Sequence, residues 1–250
     1  MELFEAWGTS HAGLFTFAQS AKHVGLYQKY GFWPRFLTAV MSSPVRPDSG
    51  PAPVRLSALD EAGRVIEVGA GNGLNFSHYP QAVREVMAVE PEPYLRDRAT
   101  EAAWAAPVPV RVVDGTAGDL PAADGEFDAV VVSGLLCSVP DAPAALAEFR
   151  RVLRPGGQLR FYEHVRSRDA IFARYQRTAD LIWPRLMGGC HVERRTQSAI
   201  GRAFTLERCR GFRFPPSAAF SPVAPRIIGV ARKAETPAAA SAADARQHGD

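Results

Sequence analysis

The segment from Glu67 to Gly73 combines residue types that could bind a charged small molecule. It reads Glu-Val-Gly-Ala-Gly-Asn-Gly and follows the apolar pair Val65-Ile66, which predicts a buried strand. Glycines let the backbone approach a ligand closely because no Cβ intervenes. The residues that follow, 74–76, predict the start of a helix. A strand, a glycine turn and a helix together indicate a nucleotide-type pocket.

The glycine spacing argues against a dinucleotide as the ligand. A GxGxxG turn that begins at Gly69 needs its third glycine at position 74, where this chain has Leu74. A pyrophosphate gains little from a carboxylate such as Glu67 beside the turn. A ligand with an ammonium or sulfonium charge is attracted to it.

A second acid, Glu90, lies seventeen residues after Gly73 and ends the apolar run 86–89. An acid at the end of a second strand can accept hydrogen bonds from both hydroxyls of a ribose. A glycine turn with a ribose acid and no phosphate cradle resembles the class I S-adenosylmethionine-dependent methyltransferases. The alternative interpretation is an ordinary strand-to-helix turn with a surface acid.

This resemblance implies that the cofactor is S-adenosyl-L-methionine. The cofactor-binding candidates are Glu67, Gly69, Ala70, Gly71, Gly73, Asn75, Glu90, Pro91, Thr116, Ala117 and Ser133. Family members commonly have an acid after the third strand that contacts the adenine. Here Thr116 and Ala117 occupy that place, and Asp114 is the nearby carboxylate that could replace it.

The elements that must position these residues alternate between strands and helices. Predicted strands cover 64–69, 84–90, 108–113, 127–133 and 157–164, and predicted helices cover 74–79, 93–105 and 141–153. Alternation of this kind predicts a parallel sheet with helices on both faces. Right-handed crossovers place the strand C-termini along one edge, where ligands bind. That edge is expected to collect Glu67, Glu90, Asp114, Ser133 and His164.

The rest of the chain completes the predicted fold. Residues 153–157 read as a helix stop and tight turn, 170–186 as a helix, and 196–203 as a short helix. Strands near 205–213 and 226–232, on either side of the proline-rich loop 215–225, would form the antiparallel closing hairpin. The predicted fold class is α/β, a Rossmann-like, seven-stranded, doubly wound sheet with an antiparallel last strand and a helical N-terminal cap.

Three segments are expected along the chain. Residues 1–53 read as a helical cap and a proline-rich linker, and the cap either forms part of the substrate wall or only packs on the sheet. Residues 54–233 would form the S-adenosylmethionine-dependent methyltransferase domain. Residues 234–250 are rich in alanine without an apolar period, which predicts disorder.

Composition limits the partners and the location of the protein. The 250 residues are 46% hydrophobic, enough for a sizeable core, and a net charge of +3 is too small to indicate nucleic acid. We find no leader pattern and no apolar run of about eighteen residues, so no membrane span is expected. Cys137, Cys190 and Cys209 form no CxxC pair, which predicts neither a disulfide framework nor a zinc knuckle. We therefore expect a cytoplasmic protein, and we assign no residue as a metal ligand.

Several motifs narrow the family further. They are the stretch 65–73 with Asn75-Phe76 and Tyr79-Pro80, Leu136-Cys137-Ser138-Val139, 151–157, Glu163-His164-Val165, Gly189-Cys190-His191 and 225–229. Together they resemble the methyltransferase-like group, with a methyltransferase type 11 domain, that includes alkyl-thiol S-methyltransferases. Animal members begin with an apolar membrane anchor that this sequence lacks, which implies a soluble relative.

The resemblance implies methyl transfer from a sulfonium to a nucleophile, an in-line displacement in which the enzyme mainly holds both reactants in line. A thiol with a pKa of about 8.5 is already partly thiolate at neutral pH. His164, at a strand end on the ligand edge, is the first candidate for a base or a thiolate-orienting group, and His191 is the second. Structural roles in the loop and in the corner are the alternatives for these two histidines. Cys137 and Cys190 are interpreted as wall residues.

An apolar substrate cavity could be lined by Phe15, Trp33, Tyr175 and Trp183. The leading functional hypothesis is S-methylation of a small-molecule thiol, for detoxification or for capping a natural product. The second is O- or C-methylation of a quinone-like, phenolic or lipid acceptor. The third is a catalytically silent S-adenosylmethionine-binding protein, which the intact Glu67, glycines and Glu90 disfavour. The oligomeric state is left open.

Overall fold

The computed structural model describes residues 63–214 and 220–235. The strands are β1 Arg64–Val68, β2 Glu85–Val89, β3 Val110–Val113, β4 Phe127–Ser133, β5 Leu153–His164, β6 Thr205–Arg213 and β7 Pro225–Arg232. The helices are α1 Pro93–Ala103, α2 Ala142–Val152, α3 Ala170–Asp180, α4 Trp183–Leu186 and α5 Thr196–Ala203. The expected cap at 1–53, part of the loop 215–225 and nearly all of the tail 234–250 lie outside the described residues.

All seven strands form one sheet in the order β3-β2-β1-β4-β5-β7-β6. Strands β1 to β5 are parallel, and β7 runs antiparallel to both β5 and β6. The predicted α/β fold with an antiparallel last strand is confirmed. The strand order reverses between β1 and β4, which is the point where such sheets bind ligands. Val68 pairs with both Val89 and Val132, so the three central strands end level with one another.

The central strands are nearly continuous apolar runs because helices cover both faces of the sheet. Phe149 of α2 and Ile200 of α5 belong to the core on one face, and both are fully buried. Phe76, which follows the glycine turn, and Ala99 of α1 belong to the core on the other face. The strands whose ends carry the candidate site are therefore packed on both faces. Within the described ranges, we find no helix that combines the length and the apolar character needed to span a bilayer.

The helix predicted at 74–79 was wrong, because the structure has only a short 3₁₀ turn at Phe76–His78. Gly73 has a φ of +80°, so it is not itself part of a right-handed helix. Pro80 disfavours the helical region for the residue before it, and Tyr79 is extended with a ψ of 131°. Phe76 and Tyr79 are buried against the sheet instead.

Two larger differences from the prediction concern one helix and one strand. The helix expected over 170–186 breaks between α3 and α4, because Pro184 lacks an N–H and its ring would clash with the carbonyl four residues earlier. Strand β5 begins at Leu153, directly after α2, and not at 157. Its register jumps from Leu153 opposite Phe127 to Gln158 opposite Ala129, so the predicted turn at 153–157 lies inside the strand as a bulge.

Candidate active site

A cavity of about 540 Å³ opens at the carboxyl edge of the sheet, within the size range of small-molecule sites. Its walls come from the loops after β1, β2, β3 and β4, from the end of β5 and from the corner that follows α4. Of the predicted site residues, the ones that line it are Gly69, Gly71, Glu90, Pro91, Thr116, Ala117, Ser133 and His164. The predicted edge therefore does bring the loops after five strands together.

The glycine turn faces the cavity through Gly69 and Gly71. Their φ angles are +71° and +58°, a backbone region that residues with a Cβ rarely adopt. A Cβ on Gly69 would lie 2.7 Å from Leu135 Cδ1, whereas a Cβ on Gly71 would meet nothing within 4 Å. The backbone at Gly71 is thus left open to a ligand. Ala70 and Gly73 do not line the cavity, and Gly73 packs against Phe76.

The Glu90 carboxylate lies at the cavity wall and is only 6% exposed. Its Oε2 accepts a hydrogen bond of 2.8 Å from the Gly71 N–H, and its Oε1 accepts one of 3.1 Å from the Glu92 N–H. Burial raises the pKa of Glu90, against the effect of these two backbone donors. Each carboxylate oxygen retains acceptor capacity after one such bond. Glu90 can therefore accept further hydrogen bonds from a ligand.

Glu67 and Asn75 lie behind the turn and do not line the cavity. The Tyr79 hydroxyl donates to Glu67 Oε2 at 2.7 Å, and Asn75 Nδ2 donates to Glu67 Oε1 at 2.9 Å. Burial raises the pKa of Glu67 to about 7, although both hydrogen bonds lower it. The carboxylate thus links the end of β1 to the 3₁₀ turn and supports the glycine turn from below.

The loop after β3 contributes Thr116 and Ala117 to the cavity wall, but Asp114 does not line it. The Asp114 side chain is 72% exposed and forms an ion pair of 3.0 Å with Arg96. Asp114 therefore stays at the edge of the sheet, where Arg96 also donates to the Glu90 carbonyl, but its carboxylate is directed to solvent and not into the cavity.

Sequence reasoning missed Glu163, the residue that fixes the loop after β4. Its carboxylate is fully buried, and Oε1 accepts from the Leu135 and Leu136 N–H groups at 3.0 and 2.9 Å. Oε2 accepts from the Cys137 N–H at 3.3 Å. Burial raises the pKa of Glu163 well above its ordinary value. An acid inside an otherwise buried strand was the available signal, since buried carboxylates need several donors.

Two cysteines flank His164 at the inner end of the cavity. The Sγ atoms of Cys137 and Cys190 each lie 3.5 Å from His164 Nδ1, and all three residues are buried and line the cavity. A hydrogen bond between the thiols raises the pKa of Cys137 and lowers that of Cys190. The three ligand-type atoms lie within 4.8 Å of one another. The sequence contains no CxxC pair, so no local cysteine motif predicted this cluster.

His191 is near this cluster through its backbone and not through its ring. Its N–H donates to the Cys137 carbonyl at 2.8 Å, while ring Nδ1 lies 2.9 Å from Asp180 Oδ2. The Val192 N–H donates to the other oxygen of Asp180 at 2.6 Å. The imidazole does not line the cavity, so it holds the corner after α4 in place.

Only part of the predicted apolar substrate wall lies at the cavity. Trp183 lines it, together with Met187. The Tyr175 hydroxyl donates to the Phe220 carbonyl at 2.9 Å, and Tyr175 does not line the cavity. Phe15 and Trp33 lie outside the described residues.

Comparisons with known proteins agree with this geometry. Residues 66–161 match the family model described as a methyltransferase domain. The chain is 35% identical to human (Homo sapiens) thiol S-methyltransferase TMT1B over 173 residues, which are 68% of this chain and 70% of that protein. It is 33% identical to human thiol S-methyltransferase TMT1A over 174 residues, again 68% and 70% of the two chains.

A solved structure of an S-adenosylmethionine-dependent methyltransferase from Methanosarcina mazei superposes with a TM-score of 0.55. The match covers 71% of this chain and 94% of that one at 18% identity. Similarity at this level of identity concerns the fold alone.

Proposed function

The chain belongs to the class I S-adenosylmethionine-dependent methyltransferases, and from this premise we propose that it methylates the sulfur of a small-molecule thiol. The observation that carries the proposal is the similarity to two human thiol S-methyltransferases over two thirds of the chain. Such an activity would serve to detoxify thiols or to cap the thiol of a natural product.

The residues at the sheet edge fit S-adenosyl-L-methionine. When bound, this cofactor supplies an electrophilic methyl group on a sulfonium. The open backbone at Gly71 leaves room for close approach, and the two Glu90 oxygens have acceptor capacity for the ribose hydroxyls. We assign the adenine edge to the loop at Thr116 and Ala117, and the methionine half to Ser133 and its neighbours.

The other predicted cofactor residues receive roles that follow from their positions. Gly69 and Pro91 line the cavity and would contact the cofactor through backbone and ring atoms. We propose that Glu67, Asn75, Ala70 and Gly73 act indirectly, by holding the curvature of the turn. The buried Glu67 carboxylate beneath it also attracts a sulfonium or an ammonium when it is ionised.

The substrate would bind at the end of the cavity that contains His164. Trp183, Met187, Val139 and Val223 line the cavity, which suits an uncharged alkyl or aryl group. We propose that His164 activates the substrate sulfur, either by taking its proton or by orienting the thiolate. His191 would act as a positioning residue through the corner after α4, because its ring is directed at Asp180.

Radiolabelled S-adenosylmethionine and paired acceptors test this function. The panel would contain thiols and alcohols of equal shape, such as thiophenol with phenol and hexanethiol with hexanol, together with a quinol. We expect labelled product from the thiols and little from their oxygen counterparts. Product from the phenol or quinol but from no thiol would reject thiol methylation in favour of O- or C-methylation. Tight cofactor binding without product on any acceptor would instead indicate a silent binder.

A further inference from the structure

We propose that Cys137, His164 and Cys190 form a binding site for zinc(II) at the inner end of the cavity. The three side chains offer two sulfur atoms and one imidazole nitrogen, each sulfur lying 3.5 Å from the nitrogen. All three residues are buried and line the cavity. Sulfur and imidazole are the donors that zinc prefers in proteins.

The observed distances match those of a tetrahedral site. With Zn–S of about 2.3 Å and Zn–N of about 2.0–2.1 Å, tetrahedral angles separate sulfur from nitrogen by about 3.6 Å and the two sulfurs by about 3.8 Å. The two sulfur-to-nitrogen distances of 3.5 Å agree with the first value, and the limit of 4.8 Å on all pairs includes the second. An ion could therefore enter with little rearrangement of the side chains.

Hydrogen bonding alone accounts less well for two thiols around one nitrogen. A neutral imidazole has a single acceptor nitrogen, so Nδ1 of His164 can accept a hydrogen bond from only one of the two cysteine thiols. Cys137 has another acceptor, because the Gly134 carbonyl lies 3.4 Å from its Sγ. An arrangement without metal is therefore available, and it is the outcome that would overturn the proposal.

Backbone contacts hold the two segments that carry the cysteines, while His164 lies at the end of β5. Glu163 binds the N–H of Cys137, and the Cys137 carbonyl accepts from the His191 N–H next to Cys190. Gly188 and Gly189 have φ angles of +60° and +84°, which turn the chain so that Cys190 faces the cavity. Rigid supports of this kind are what a preorganised metal site requires.

The fourth coordination position would face the cavity, since all three ligand residues line it. Two thiolates balance the charge of one zinc ion, and three protein ligands with an open position are typical of catalytic zinc sites. This second step rests on the proposed thiol methylation: the substrate thiol would occupy that position. Its proton leaves to solvent, because Nδ1 of His164 is then a zinc ligand and His164 acts by orienting the thiolate. The substrate sulfur then forms the new bond to the methyl carbon. The electron pair of the broken sulfonium bond stays on the departing S-adenosylhomocysteine sulfur.

Cobalt(II) titration of the full chain, purified without metal, tests the site directly. We expect one ion per chain and a thiolate-to-cobalt charge-transfer absorption. The absorption should disappear when zinc(II) is added and displaces the cobalt. C137S, C190S and H164Q should each weaken binding by about 100-fold or more, since each removes a ligand. C209S is the matched control, because Cys209 lies on β6 outside the cavity lining. No charge-transfer absorption in the wild type, or an unchanged one in the C137S/C190S double variant, would overturn the site.

The substrate role has a separate readout. Adding hexanethiol to the cobalt-loaded protein should increase the charge-transfer absorption, while hexanol should not change it. An absorption spectrum of the cobalt-loaded protein that does not change when hexanethiol is added would overturn thiol coordination. Methylation of thiols at an unchanged rate after removal of the metal by a chelator would also overturn it, while leaving the proposed thiol methylation intact. If the metal-loaded enzyme methylates no thiol, the proposed function is wrong, whereas the metal site is still judged by the cobalt titration.

Discussion

The Glu90 carboxylate accepts a hydrogen bond of 2.8 Å from the Gly71 N–H, which joins the acid after β2 to the glycine turn after β1. The turn is also tied to β2 by the Gly69 N–H, which donates to the Val89 carbonyl at 2.9 Å. The glycine turn and Glu90, from which the cofactor site is predicted, are thus one hydrogen-bonded unit. A substitution at Glu90 should therefore also alter the conformation of the glycine turn, and the reverse.

Glu90→Gln should weaken S-adenosylmethionine binding by about 10- to 100-fold. The variant removes the charge and places an amide NH₂ where one of two backbone N–H groups needs an acceptor, and hydrogen bonds to charged groups are worth about 1.5–3 kcal/mol. Isothermal calorimetry with S-adenosylmethionine and S-adenosylhomocysteine measures the loss. Glu85→Gln, at the opposite end of β2, is the control and should bind normally. Equal affinity in both variants would refute the role of Glu90.

Gly71→Ala and Gly73→Ala should separate ligand binding from folding. Both positions have positive φ, which costs a residue with a Cβ about 1–2 kcal/mol. At Gly71 the added methyl meets no protein atom and would occupy space at the cavity wall, so cofactor affinity should fall about tenfold. At Gly73 it would lie 2.7 Å from Phe76 and 2.9 Å from Ala102, so unfolding should become easier by at least a further ~1–3 kcal/mol. Urea unfolding measures the stability of each variant, and calorimetry measures its cofactor affinity. A larger loss of affinity in Gly73→Ala and a larger loss of stability in Gly71→Ala would contradict this prediction.

The stability of the cofactor-free protein should fall as the pH rises from about 4.5 to 7. Burial raises the pKa of Glu67 from 4.5 to about 7, so the folded state holds this proton more tightly than the unfolded chain. The stabilisation is complete below pH 4.5 and is lost as the pH rises through 7, a change on the order of 3 kcal/mol. Glu67→Gln should flatten this dependence, because its amide does not titrate. It can accept from Asn75 through Oε1 and donate through Nε2 to the Tyr79 hydroxyl.

Urea unfolding at several pH values measures the Glu67 effect. The raised pKa values of Glu90 and Glu163 act in the same direction, so the variant should retain part of the slope. Glu101→Gln, at an exposed position on α1, is the control and should leave the slope as in the wild type. A Glu67→Gln protein with the full wild-type slope would contradict the assignment.

Glu163→Ala should lower the free energy of unfolding by about 3 kcal/mol or more. The variant leaves three buried N–H groups, at 135, 136 and 137, without their acceptor, and each unsatisfied group costs about 1–3 kcal/mol. Glu163→Gln should lie between it and the wild type, because one amide oxygen can still accept from two donors. Urea unfolding should show a change below ~0.5 kcal/mol for the surface variant Glu101→Ala. A similarly small change for Glu163→Ala would show that the loop is held by other contacts.

His164→Gln should reduce methyl transfer by about 100-fold with little change in cofactor affinity, because activating groups contribute about 10²–10⁴-fold. His191→Gln should have a smaller effect, since its ring supports the corner through Asp180 and does not line the cavity. Asp180→Asn is the matched comparison, because it weakens the same contact from the other side. Single-turnover rates with a thiol and calorimetry with the cofactor would test this order. Rates unchanged in both histidine variants would remove imidazole from the mechanism.

Local sequence patterns determined much of the fold and of the cofactor half of the site. The apolar runs predicted the central strands, because strands covered on both faces exclude polar residues. The glycine spacing and Glu90 predicted the edge of the sheet at which the cavity opens, because parallel strands with right-handed crossovers end at one edge. The helix predicted after Gly73 was wrong, since Pro80 holds Tyr79 in an extended conformation and limits the segment to one 3₁₀ turn.

Only the tertiary structure decided the chemistry at the other end of the cavity. Cys137, His164 and Cys190 lie 26 or 27 residues apart in successive steps, and no local spacing rule joins them. They meet because β4 and β5 are neighbours in the sheet and because the corner at Gly188 folds back on the loop after β4. Glu163 of β5 accepts from that loop because the two strands are neighbours. The His191 ring contacts Asp180 because the corner after α4 folds back on the end of α3. Strand order and side-chain direction set such contacts, and both depend on the packing of the whole chain.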